Sequence, residues 1–161
     1  MPFRMPVKTR RFFKDIYDKK NKDGMKLKLQ FDGYYFSLLV GLASGMYDAE
    51  AELESSEFFD EYPQEYSESK EYIAALLIAT EIQLQGIAEE DAEAMEQLMK
   101  DFIEPKSKTL LTSKGEQRLN QYAARGIDIM IEEFGDAPLE LDIFLREYFD
   151  CFPKEQVKAD S

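Results

Sequence analysis

Residues 113–135, SKGEQRLNQYAARGIDIMIEEFG, decide the fold. Leu119, Tyr122, Ala123, Gly126, Ile127, Met130, Ile131 and Phe134 recur at i, i+3, i+4 and i+7, the spacing of one face of an α-helix. Ser113 and Glu116 have the spacing of a capping box, and Gly135 stands where a helix C-cap favours glycine. A helix this long with one broad apolar face cannot stand alone. It needs other helices to cover that face.

The neighbouring stretches supply them. Residues 69–85 (SKEYIAALLIATEIQLQ) are apolar nearly all round between Tyr72 and Leu84, and Gly86 is a natural stop. A helix of that kind belongs at the centre of a bundle. Glu81 interrupts it, which predicts a buried acid paired with a Lys, Arg or Tyr. Residues 89–103 predict an amphipathic helix with Ala92, Met95, Leu98, Met99 and Phe102 facing in, closed by Pro105. Residues 34–46 (YYFSLLVGLASGM) read as a largely apolar helix with Asp32 as its cap; Gly41, Ala43 and Gly45 would admit another element closely. Asp136-Ala137-Pro138 opens a last helix whose apolar face is Ile143, Phe144, Tyr148 and Phe149. Near the start, Phe12, Phe13, Ile16 and Tyr17 sit at helical spacing, and Asn21-Lys22-Asp23-Gly24 reads as a turn.

Residues 25–31 (MKLKLQF) alternate strictly, which is a strand pattern. Its partner would be residues 108–112 (KTLLT). The competing reading starts the next helix early, because Leu27, Phe31 and Tyr34 share a helical face. The fold class is therefore mainly α, a bundle of five or six helices with room for one short β-hairpin.

Charge divides the chain. Residues 1–30 hold ten Lys and Arg against three acids; the rest holds ten against thirty, and the net charge is −13. This predicts a basic N-terminal arm with a short helix over 1–24, a helical domain over 25–152 and a flexible tail over 153–161. Within the domain, residues 48–71 carry ten acids and one lysine, broken by Pro63, and read as a long acidic loop. The arm's cations, Arg4, Lys8, Arg10, Arg11, Lys14, Lys19, Lys20, Lys22, Lys26 and Lys28, could touch phosphates. The plainer expectation is that they lie against the acidic body, in cis or on a neighbouring copy; a homodimer is open. The acidic surface itself repels nucleic acid.

The 161 residues fit one domain with a real core, and 21 Phe and Tyr argue against disorder. No apolar run approaches the ~18 residues of a membrane span, and no secretory leader is evident. One cysteine, Cys151, points to the cytoplasm, and its acidic neighbourhood disfavours a reactive thiolate. Histidine is absent, so Ser–His and Cys–His nucleophile pairs within this chain are excluded, as are zinc sites of the Cys/His type. No catalytic residue, cofactor site or metal site is assigned. A Mg²⁺ site made of acids is the one metal option left. Glu89-Glu90-x-x-Glu93 matches half of the EExxE…ExxD pattern of all-α nucleotide pyrophosphohydrolases, but Glu133-x-x-Asp136, its only second half, lies too far down the chain.

The acidic segment supports three readings: a solvated loop, a docking surface for a basic protein partner, and a DNA mimic whose carboxylates imitate phosphates. In the docking reading the partner-binding residues are Glu54, Glu57, Phe58, Phe59, Asp60, Glu61, Tyr62 and Tyr66. Aromatics would anchor the partner and acids would steer it.

Three segments carry a family resemblance. Leu119–Met130 (LNQYAARGIDIM) resembles the YAxxGxxxL helix of a small family of accessory proteins of bacterial Dnd loci, which place and police phosphorothioate linkages in DNA. Asp32–Gly45 is similar to that family's early helix, and the apolar helix around Ile73–Ala79 falls between them in the same order. The insertion at 48–71 departs from the pattern. The resemblance implies an accessory protein of a phage-defence locus and supplies no catalytic residue. The expectation is a cytoplasmic, non-catalytic accessory protein that docks a basic partner through its acidic aromatic surface. The alternatives are an acidic DNA-mimic inhibitor of a DNA-binding protein and a Mg²⁺-dependent all-α nucleotide pyrophosphohydrolase.

Overall fold

The periodic stretch at 113–134 forms the longest helix of the computed structural model, which describes residues 2–17, 26–56 and 58–152. Among the described residues there are six α-helices: α1 (Val7–Phe13), α2 (Gln30–Ser44), α3 (Lys70–Gln85), α4 (Ala92–Phe102), α5 (Ser113–Phe134) and α6 (Leu141–Cys151). A 3-10 turn, Gln64–Ser69, precedes α3. The molecule is a mainly α bundle. None of these helices is long and apolar enough to cross a membrane.

The bundle is organised by the crossing of α2 and α5. Gly41 and Gly126 meet there without side chains between the backbones. A Cβ on Gly41 would lie 1.8 Å from the Tyr122 carbonyl oxygen, and one on Gly126 would lie 1.6 Å from that of Ser37. The expected close approach at Gly41 is thus present. Gly45 serves differently, ending α2 in a left-handed conformation at φ 74°.

Two apolar clusters lie along this crossing. One joins Phe3, Met5, Phe31, Tyr34, Leu38, Ile73, Leu77, Phe102 and Leu119. The other joins Phe12, Phe13 and Ile16 near α1 to Ile127, Met130, Phe144 and Tyr148. The described N-terminal stretch thus lies on the body, with its apolar residues in the core and Lys8, Arg11 and Lys14 on the surface. Phe3 is 1% exposed and packs edge-on to Phe31 at 5.0 Å. Residues 3–7 run antiparallel to 53–59, with bridges Phe3–Phe59 and Pro6–Leu53.

Helix ends follow local chemistry with small shifts from expectation. α5 is capped by Thr112, one residue before the predicted Ser113. The Thr112 hydroxyl accepts from the Gly115 N–H at 3.1 Å, while Glu116 instead accepts from Thr109 at 2.8 Å. α2 begins at Gln30, and Asp32 in its first turn accepts from the Leu29 N–H at 3.0 Å. The expected hairpin of 25–31 with 108–112 does not form among the described residues. Leu27 instead makes a parallel bridge with Tyr17, and Leu111 an antiparallel one with Ile103. The extended stretch ends at Leu29, and only Phe31 and Tyr34 of the expected helical face lie within α2. α6 starts at Leu141, later than Pro138 suggested, and only Phe144 and Tyr148 are buried; Ile143 and Phe149 point outward. The turn at 21–24 and the tail at 153–161 lie outside the described residues.

α3 is the larger departure. It lies at the edge of the bundle, not the centre. Ile73, Ala74, Leu77, Thr80 and Glu81 face the body, while Tyr72, Ala75, Ala79 and Leu84 are exposed.

Candidate functional site

The acidic segment is drawn into the fold by its aromatics. Tyr62 is 7% exposed, its ring tilted against that of Phe3 with centroids 4.8 Å apart; Phe58, Phe59 and Tyr66 are half-buried around Phe31. Tyr66 donates to Asp32, and burial together with that carboxylate pushes its phenol well above the ordinary range. Tyr62 is thus part of the core, while Phe58, Phe59 and Tyr66 pack against it and keep part of their surface exposed. Glu54 is also engaged. Its carboxylate takes a two-point contact from Arg10, at 3.0 and 2.7 Å, and its carbonyl accepts from Arg4 at 2.9 Å. The Arg10 hydrogen bond holds the Glu54 carboxyl below the usual range. Asp60 and Glu61 are exposed, with Glu61 3.9 Å from Lys108; Glu57 lies outside the described residues.

The N-terminal cations divide likewise. Arg4 and Arg10 meet Glu54, and Lys8 meets Asp128 at 2.8 Å. Lys26 donates to the Asp15 carbonyl at 2.7 Å. Arg11, Lys14 and Lys28 are exposed; Lys19, Lys20 and Lys22 lie outside the described residues. Of the seven described cations, Lys8 and Arg10 make the expected cis contact with acids of the body, and Arg4 reaches a backbone carbonyl there.

Glu81 is a buried acid with the partners the sequence predicted. Its Oε1 accepts from Arg118 at 2.5 Å and from the Tyr122 hydroxyl at 3.0 Å, and its Oε2 accepts from Gln85 at 2.8 Å. Arg118 also lies over the Tyr47 ring at 3.9 Å. Burial and the adjacent carboxylate raise the Tyr122 phenol above its ordinary value. Every oxygen of Glu81 is thus occupied, which suits a joint between α3 and α5 more than a reactive group.

Glu89, Glu90, Glu93 and Glu96 are exposed at or near the start of α4, and Glu132 and Glu133 are exposed at the end of α5. Among the described residues no group of three or more His, Cys, Asp or Glu side chains could hold a metal ion. Cys151 lies exposed on α6.

Apolar surface is exposed along α3. On one flank a groove of about 490 Å³ runs between α3 and α4. Ala75 and Ala79 keep it open, Ile78 and Ile82 wall it on one side, and Met99 and Ile103 wall it on the other. Pro105 and Leu110 close one end, and Glu71 is its only charged lining residue. Leu110 holds φ 65°, the one left-handed residue other than glycine among those described. Thr109, 1% exposed, pins that turn through Ser107 and Glu116. On the other flank, Tyr72, Leu76 and Thr80 of α3 line a second groove with residues of α2 and α6, including Phe149.

Protein-family profiles, curated proteins and solved structures were compared with this chain, and none matches. The functional reading therefore rests on the residues.

Sequence reasoning missed the α3–α4 groove because it read an all-round apolar helix as fully covered. A signal was present. Ala74, Ala75 and Ala79 are too small to fill the space between two helices, and Met99 sits one position off the buried Leu98–Phe102 stripe.

Proposed function

We propose that this protein is a non-catalytic interaction module that docks a protein partner with a basic surface. The observation that carries the reading is α3: nearly apolar all round, it is covered by its own chain on one side only. Exposed apolar surface of this kind, set in polar surroundings, marks a docking face. Its surroundings are acidic. Residues 61–110 hold twelve acids against four lysines, and one of those acids, Glu81, is inside. Such a field speeds the approach of cationic partners and repels anionic ones. The absence of histidine supports a binding role over a hydrolytic one.

The resemblance to accessory proteins of Dnd loci adds a class for the partner. A protein that handles DNA carries a basic surface, and an acidic accessory subunit fits it. The acidic aromatic segment, the first candidate for this face, contributes charge through Asp60 and Glu61, while its rings pack in or against the core.

The test is reconstitution. The full chain is co-expressed with the products of its neighbouring genes, and any captured protein is identified, purified separately and recombined at about 150 mM salt. The expected result is a stoichiometric complex with one basic protein that weakens as salt rises. Failure of every neighbouring product to form such a complex would count against the reading.

A further inference from the structure

We infer that the groove between α3 and α4 seats an amphipathic helix with a basic outer face, supplied by the partner. The inference rests on the docking reading above and gives it a location and a ligand class.

Shape is the first argument. Ala75, Ile78, Ala79 and Ile82 fall at i, i+3, i+4 and i+7 of α3, a stripe about 10 Å long. Alanines let a foreign helix approach to the ordinary 8–10 Å between packed axes. Isoleucines on one wall and Met99 and Ile103 on the other offer slots for aliphatic side chains at that same spacing, the pattern of helix-in-groove recognition. Met99, 45% exposed, is an adaptable wall, because an unbranched thioether repacks around varied side chains.

Charge is the second. The groove has an apolar floor and an acidic margin. Glu71 lines it, Glu68 lies one turn before Glu71, and Glu104 follows Ile103; all three are exposed. Two of the four nearby lysines are answered by the protein itself: Lys100 pairs with Glu96 at 3.2 Å and Lys108 faces Glu61 at 3.9 Å, which leaves Lys70 at the start of α3 and Lys106 beside Pro105 against the three margin acids. A helix with aliphatic residues on one side and Lys or Arg along its borders satisfies floor and margin together. A second copy docking groove to groove does not, because it would bring the same acids against this margin. An anionic membrane surface is disfavoured for the same reason.

The test uses the full chain and a designed probe. The probe is a fluorescein-labelled four-turn peptide with Leu at i, i+3, i+4 and i+7 and Lys along both borders of that stripe and on its outer face. Its control is a scrambled peptide of equal composition. Anisotropy at about 150 mM salt should show the patterned peptide binding at least about tenfold tighter than the scramble. Ala79→Arg, an exposed site inside the groove, should weaken that binding about tenfold with an unchanged circular-dichroism melt. Ala75→Arg, one turn away, does the same duty if the first variant melts early. Equal affinity for both peptides would overturn the inference, as attraction would then be charge alone. Unchanged affinity in both arginine variants would also overturn it while leaving the docking reading standing, which reconstitution decides separately. A dimer in sedimentation that Ala79→Arg dissolves would assign the groove to a second copy and overturn it as well.

Discussion

Glu81 of α3 and Arg118 of α5 meet at 2.5 Å, with the carboxylate entirely out of water. Removing one partner of a buried pair strands the other, at a cost of about 3–5 kcal/mol. Arg118→Ala should therefore lose about that much in urea unfolding. Replacing both, as Glu81→Leu with Arg118→Met, should recover much of it, since no buried charge remains. A double variant as unstable as Arg118→Ala would show that the pair contributes more than mutual neutralisation.

The α2–α5 crossing makes a second demand. Gly126→Ala would place a methyl group on the Ser37 carbonyl, backbone against backbone, where no rotamer can yield. It should cost about 3 kcal/mol or more, the upper end of overpacking. Ala43→Leu, on the exposed side of α2, should stay within about 0.5 kcal/mol. Chemical denaturation of the two variants side by side checks the contrast.

Two substitutions near the N-terminus separate its buried residues from its exposed ones. Phe3→Ala should lose about 3–5 kcal/mol, as for other buried aromatics. Lys14→Ala, exposed, should change stability by no more than about 0.5 kcal/mol. A Phe3→Ala protein of parental stability would mean that the 3–7 and 53–59 segments do not pair in solution.

Alkaline pH should unfold the molecule through its tyrosines. Tyr34, Tyr62, Tyr66, Tyr122 and Tyr148 all have phenols held above the ordinary value of about 10, with burial the leading cause in each. A raised folded-state value means the folded protein keeps its proton when the unfolded chain would lose it. Stability is then complete below pH ~10 and declines as pH rises beyond it. Absorbance at ~295 nm should show these tyrosines ionising in step with loss of helical circular dichroism. Smooth ionisation near pH ~10 with intact helices would contradict the burial described here.

Leu110 divides strain from binding. Its left-handed backbone costs about 1 kcal/mol or more in an L-residue with a side chain, and glycine removes that cost. Leu110 also closes the groove, so Leu110→Gly should leave unfolding stability within about 1 kcal/mol of the parent while weakening the patterned peptide. Thermal melts and anisotropy on one preparation measure both.

Much of the helical frame is legible in the sequence because its signals are local. The period of Leu119–Phe134 and the glycines at 86 and 135 place α3 and α5 to within a residue. The acid in the apolar helix announced its own partners, and Arg118 and Tyr122 supply them. What stayed hidden is nonlocal. Nothing near Phe58 or Phe59 says that residues 3–7 will lie beside them, and the surrounding acids make those rings look like surface. Glu54 likewise reads as one of the acids open to a partner, and nothing local says that Arg10 is the cation that will meet it. The exposed flank of α3 could not be read, because composition reports that a helix is apolar and not which of its sides its own chain will cover.

Amide hydrogen exchange of the full chain, with and without the patterned basic peptide, tests the docking face most directly. Exchange should slow in segments covering 70–85 and 92–110 and stay unchanged across 7–17. Protection centred on 48–62, or none on α3 and α4 at saturating peptide, would contradict the account.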